Sequence, residues 1–128
     1  MDLNDWKKLA EREVSRYRDN QAYVRGVLDG GGTGGERMQR CARWVLAVDY
    51  TRAHLKRADP QKAEVFSKLF GLDAPIKSRN AARTAKAVSI ELHMSITTVY
   101  RWKSEALSLV LLAAAQTGAL RPYTVDPH

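Results

Sequence analysis

Apolar side chains in this chain recur at intervals of three and four residues, segment after segment, and Val, Ile, Thr and aromatic residues never alternate with polar ones over a long run. The first pattern lines one face of an α-helix, and the missing second one is the mark of a half-buried strand. The periodic segments stop at residues that helices cannot run through. Residues 29–35 read "DGGGTGG", Asp59-Pro60 pairs a cap with a proline at the first helical position, and Gly71 and Pro75 close another segment. The chain is therefore expected to be all-α, with helices over residues 4–28, 36–57, 60–70, 79–92 and 95–116, about five in all, and no internal repeat.

The organisation expected is an N-terminal helical arm over 1–29, a Gly-rich linker over 30–35, a helical domain over 36–117 and a C-terminal tail over 118–128. In the arm Trp6, Ala10, Tyr17, Val24 and Val27 keep the stripe, but Glu13 and Asn20 interrupt it. The interruption argues against an ideal coiled coil. Two readings stay open, a helix packed on its own domain and a dimer-forming arm. Gly30, Gly32 and Gly35 spell G-x-G-x-x-G, yet a charged helix precedes them where a dinucleotide site needs a strand. Glu36 and Arg37 also stand where a phosphate loop needs Lys and Ser/Thr, so the glycines read as a hinge. The second helix presents Met38, Cys41, Ala42, Val45, Val48 and Leu55 inward, and the third Ala63, Phe66, Leu69 and Phe70.

Composition narrows the function classes. At 128 residues the chain can bury one core, and 45% hydrophobic with 27% charged residues is the balance of a globular protein. Twenty-one basic side chains against 14 acidic ones leave a net +7, which favours a polyanionic partner. The excess is local: residues 76–107 hold six cations, Lys77, Arg79, Arg83, Lys86, Arg101 and Lys103, against only Glu91 and Glu105. Cys41 is the lone cysteine, so no intrachain disulfide forms, and in its apolar run it reads as a small packing residue. "MDLNDWKK" lacks the basic and apolar regions of a signal peptide. "LSLVLLAAA" (107–115) is too short for a bilayer, which needs about 20 residues. A cytoplasmic protein with no membrane contact is expected. His54, His93 and His128 lie far apart, and no nucleophile–base set, metal-ligand spacing or paired carboxylates emerge. Catalysis, cofactors and metals are not expected.

The stretch that carries chemistry is "LHMSITTVYRW", Leu92 to Trp102. Ser95 is a helix N-cap, and Ile96, Val99, Trp102 and Ala106 make one helical face. The other face holds Thr97, Tyr100, Arg101 and Ser104. Only His93 and Met94 separate the preceding helix from this cap, which is the spacing of a helix-turn-helix over about 79–107. Its packing requirements are met by Ser89 at the crossing, Val88 and Leu92 on the buried side, Met94 as the plug of the turn, and Val99 with Trp102 on the second helix. The turn usually opens on Gly, because that position takes positive φ; here it opens on His93, one of the more tolerant residue types.

A helix-turn-helix enters the DNA major groove by the N-terminal end of its second helix. Arg101 is the candidate for guanine or phosphate, Thr97 and Tyr100 for base edges, and Ile96 for a thymine methyl. Ser95, Thr98 and Lys103 would position the backbone, and Arg79, Arg83 and Lys86, near helical spacing on the bracing helix, would grip phosphates.

"AKAVSIELHMSITTVYRWKSEALSLV" is similar to the C-terminal region of phage late-gene transcription regulators of the ArpU/RinA type and to region 4 of sigma factors. A charged N-terminal helix containing "SRYRDNQAY", and a long central helix leading to a short one with "AEVFSKLF", agree with that resemblance; the tail "RPYTVDPH" does not. The resemblance implies control of phage or prophage transcription, with residues 95–103 as the reading head, double-stranded DNA as ligand and bacterial RNA polymerase as partner in the host cytoplasm. A homodimer through the N-terminal helix or the 107–116 segment is compatible with it. Two other readings compete: a small terminase subunit, which also uses a helix-turn-helix but nearer its N-terminus, and a helical protein-interaction module in which "LSLVLLAAA" is the partner surface.

Overall fold

The computed structural model describes residues 1–32 and 34–123. Among them there are six α-helices and no strand: α1 (Leu3–Ser15), α2 (Tyr17–Asp29), α3 (Glu36–Ala58), α4 (Pro60–Phe70), α5 (Ala81–Glu91) and α6 (Ile96–Thr117), followed by a short 3-10 turn, Arg121–Tyr123. Of the tail expected over 118–128, residues 124–128 lie outside the described residues, and so does Thr33 of the glycine run.

The first segment is two helices, where the stripe predicts one. The helical ladder stops at Arg16, whose N–H bonds back to Glu13 O at 3.1 Å, and α2 starts at the next residue. Three residues before the break, Glu13 interrupts the apolar stripe yet is buried, its carboxylate facing Arg12 and Arg16. The segment packs on the rest of the chain. Leu9, Ala10, Val14 and Tyr17 belong to the same core as Trp44, Phe66 and Val99, and the Tyr17 hydroxyl donates to Asp49 on α3. The glycine run joins α2 to α3, and the two helices pack against each other. It begins folded onto the end of α2, with Gly31 N–H on Leu28 O and Gly32 N–H on Val27 O.

The centre of the fold is α3 against α6, with α2 and α4 also against α3. The inner stripe of α3 is Trp44, Ala47, Val48, Thr51 and Leu55. Val48 and Leu55 are buried as expected, whereas Met38, Cys41, Ala42 and Val45 are only partly covered and Trp44, Ala47 and Thr51 take the inner places. In α4 the expected Ala63, Phe66, Leu69 and Phe70 are all buried, with the Phe66 and Phe70 rings edge to face at 5.6 Å. Asp59 caps α4 through Lys62 N–H ahead of Pro60, and Gly71 ends it at φ 62°. A Cβ at Gly71 would press on Ala74 O and Ile76 at 3.0 Å, so glycine is required for shape as well as for φ.

The run 107–115 is mostly core. Leu107, Val110, Ala113 and Ala114 are buried, whereas Leu112 is exposed. No helix among the described residues is long and apolar enough to cross a membrane.

Candidate nucleic-acid interface

Asn80 caps α5 by accepting from Arg83 N–H at 3.1 Å, so the helix starts at Ala81. Arg79 therefore precedes the helix and does not continue the Arg83–Lys86 spacing on it. Val88 and Ser89 are buried and Leu92 partly so. At the far end the Met94 N–H reaches Ser89 O at 2.9 Å, and the His93 N–H reaches Ile90 O at 3.3 Å. This is a Schellman closure, which needs a left-handed residue at the position His93 fills. His93 stands at φ 54°, the one non-glycine with positive φ among the described residues.

Four residues, Leu92 to Ser95, separate α5 from α6. The Thr98 N–H donates to Ser95 Oγ at 3.1 Å and the Ser95 hydroxyl donates to Thr98 Oγ1 at 2.9 Å, which closes the N-terminus of α6. Val99 is fully buried and Met94 and Trp102 pack against the core, as the turn pattern requires. Ile96 leaves the expected inner face and stands 40% exposed beside Thr97 in the first turn.

The exposed side of α6 is short. Thr97, Tyr100 and Arg101 face solvent. One turn further on, Ser104 Oγ accepts from Lys7 Nζ of α1 at 2.7 Å, and Lys103 Nζ meets Glu11 of α1 at 2.8 Å. Lys103 also lies over the Phe70 ring, 5.8 Å from its centre, and its side chain is only 15% exposed. It does not join the exposed set, because α1 and Phe70 cover this side of the helix at this turn. The same packing brings in a cation that sequence spacing missed. Lys8 of α1 lines a shallow groove with Tyr100 and is exposed. No local signal marks it, since its neighbourhood with Tyr100 exists only once α1 packs on α6.

Charge on this unit is one-sided. Its two carboxylates are held by lysines of α4, Glu91 by Lys68 at 2.9 Å and Glu105 by Lys62 at 2.8 Å. The Lys68 ammonium titrates higher than usual because it bonds Glu91. Lys77, Arg79, Arg83, Lys86 and Arg101 are exposed and have no carboxylate within ion-pair distance among the described residues. Neither α5 nor α6 carries an acidic residue in its first turn, so the positive end of each helix dipole is unopposed. Such a surface attracts oxyanions, and the short side chains at the start of α6 let a large one come close.

Among the described residues no three of His, Cys, Asp and Glu gather as metal ligands would. No protein-family model matches the chain, and no curated protein or solved structure is significantly similar to it.

Proposed function

We propose that this protein binds double-stranded DNA, with α5 bracing and the first two turns of α6 entering the major groove, and that it regulates transcription. The observation that carries the reading is the set of unpaired cations on a unit whose own carboxylates are neutralised from α4. Arg79, Arg83, Lys86 and Lys8 would contact phosphates. Thr97, Tyr100, Arg101 and Ile96 would reach base edges, and Ser95 and Thr98 hold the helix end in shape. The more specific role, control of phage or prophage late genes beside bacterial RNA polymerase, rests on the sequence resemblance alone.

The test is fluorescence anisotropy on random-sequence duplex DNA across a salt series. Wild type is expected to bind with a steep negative salt slope. Arg83→Ala and Arg101→Ala should each weaken binding and flatten the slope by about one unit. A folded wild type that does not bind at low salt would overturn the proposal.

Leu46, Tyr50 and Leu112 are 45%, 57% and 65% exposed on α3 and α6, and they favour a protein contact in addition. Light scattering in the same buffers separates a dimer, which would read paired half-sites, from the ring expected of a small terminase subunit.

A further inference from the structure

A cleft of about 460 Å³ lies where α1, α2 and α3 meet, and this volume falls within the range of small-molecule sites. Its walls carry Arg12, Arg16, Arg37 and Arg40 against Glu13 and Asp19, two more cations than carboxylates. The buried Glu13 is shared between Arg12 at 3.5 Å and Arg16 at 3.9 Å. Arg37 lies over the Tyr23 ring, 4.1 Å from its centre, and has no carboxylate within ion-pair distance among the described residues. Arg40 is exposed and has no carboxylate within ion-pair distance among the described residues.

Two further groups on this cleft lack partners. Trp44 is 1% exposed, and among the described residues its indole N–H has no acceptor and the buried Asn20 Nδ2 has none either. Both atoms can only donate. Buried donors are nearly always satisfied, because an unmade bond forfeits the energy of desolvation. The orphan N–H groups and the two arginines without carboxylates therefore call for the same complement: oxygen acceptors carrying negative charge.

We infer that this cleft binds a small organic or inorganic oxyanion of carboxylate or phosphate chemistry. Arg37 and Arg40 hold the charge of the ligand, and Trp44 Nε1 and Asn20 Nδ2 are the buried donors on the wall that its oxygens would satisfy. The inference does not depend on the DNA reading, since none of these residues belongs to α5 or α6.

The chain has three tryptophans, Trp6, Trp44 and Trp102, so a nitrogen-15 correlation spectrum holds three indole signals. Trp→Phe variants assign them. Citrate and pyrophosphate are titrated separately at constant ionic strength. The expected result is a saturable shift of the Trp44 signal, with the Trp102 signal unmoved. A response to citrate alone assigns carboxylate ligands, and one to pyrophosphate alone assigns phosphates. Arg37→Ala and Arg40→Ala, both changes at exposed positions, should each weaken binding about tenfold, as loss of a charge-assisted bond does. Arg101→Ala should leave it unchanged. A Trp44 signal that stays fixed at millimolar citrate and pyrophosphate would overturn the inference. So would a shift that the Arg37→Ala, Arg40→Ala double variant does not weaken.

Discussion

Lys103 of α6 meets Glu11 of α1 at 2.8 Å, a contact between helices far apart in sequence. Arg101, two residues earlier, is exposed and has no such partner. Two cations that look alike in "YRWK" are therefore physically different, one a tie between helices and the other open to an external anion.

That difference predicts opposite phenotypes. Lys103→Ala should leave DNA affinity within about twofold and lower stability by about 0.5–1 kcal/mol, the usual size of a partly exposed ion pair. Arg101→Ala should leave stability unchanged and cost about 1–3 kcal/mol of binding to a preferred site if it reads guanine. Urea denaturation and anisotropy on the same preparations check both.

His93 holds a left-handed backbone at φ 54° with its side chain exposed. A β-carbon in that region costs about 1–2 kcal/mol. His93→Gly removes the clash but loosens the unfolded chain, so a net gain of about 0.5–1 kcal/mol is expected. His93→Val should destabilise, because a β-branched residue tolerates positive φ least. Thermal melts of the two variants should move in opposite directions.

Ser95 caps α6 at its start, accepting from Thr98 N–H. Ser95→Ala should cost about 1 kcal/mol, and Ser95→Asp should retain the cap. An acid there would also place negative charge at the proposed reading end. Ser95→Asp should thus keep the melting temperature and lose DNA affinity, which separates the structural role of this position from the electrostatic one.

The Tyr17 phenol titrates above its usual 10.0, through burial first and then through its bond and charge contact with Asp49. The folded state therefore holds this proton more tightly than the unfolded chain does. The contribution to stability is complete below pH 10.0 and fades as pH climbs through the raised value. Tyr17→Phe should cost about 1–2 kcal/mol at neutral pH, where Asp49 loses its donor. The gap from wild type should narrow above pH 10.0. Denaturant titrations at a series of alkaline pH values measure that gap.

Local chemistry made much of the fold readable. The Asp59-Pro60 start, the Gly71 stop and the Ser95 cap each act within three or four residues, and α3 to α6 lie close to their expected bounds. Asn80 was an equally local signal: as an N-cap it excludes Arg79 from α5, and helical spacing alone overlooked it. The break at Arg16 was harder to read. The segment there has no glycine or proline to mark a stop, and the buried Glu13 beside it contradicts the usual side preference of a carboxylate. The fate of Lys103, the arrival of Lys8 beside Tyr100 and the cleft around Trp44 depend on which helices meet. No stripe or cap encodes those meetings, because they join residues far apart along the chain.

Helix α6 is a single unbroken rod of 22 residues, about 33 Å long at 1.5 Å per residue. One side of its first two turns, Thr97, Tyr100 and Arg101, stands in solvent, while Val99, Leu107, Val110 and Ala114 seat the rod in the core along its length. Mechanically it is a beam clamped along one side. Its N-terminal end has no joint at which to swivel, so under the proposed DNA reading a misaligned groove would be met by bending the DNA or by shifting the whole clamp.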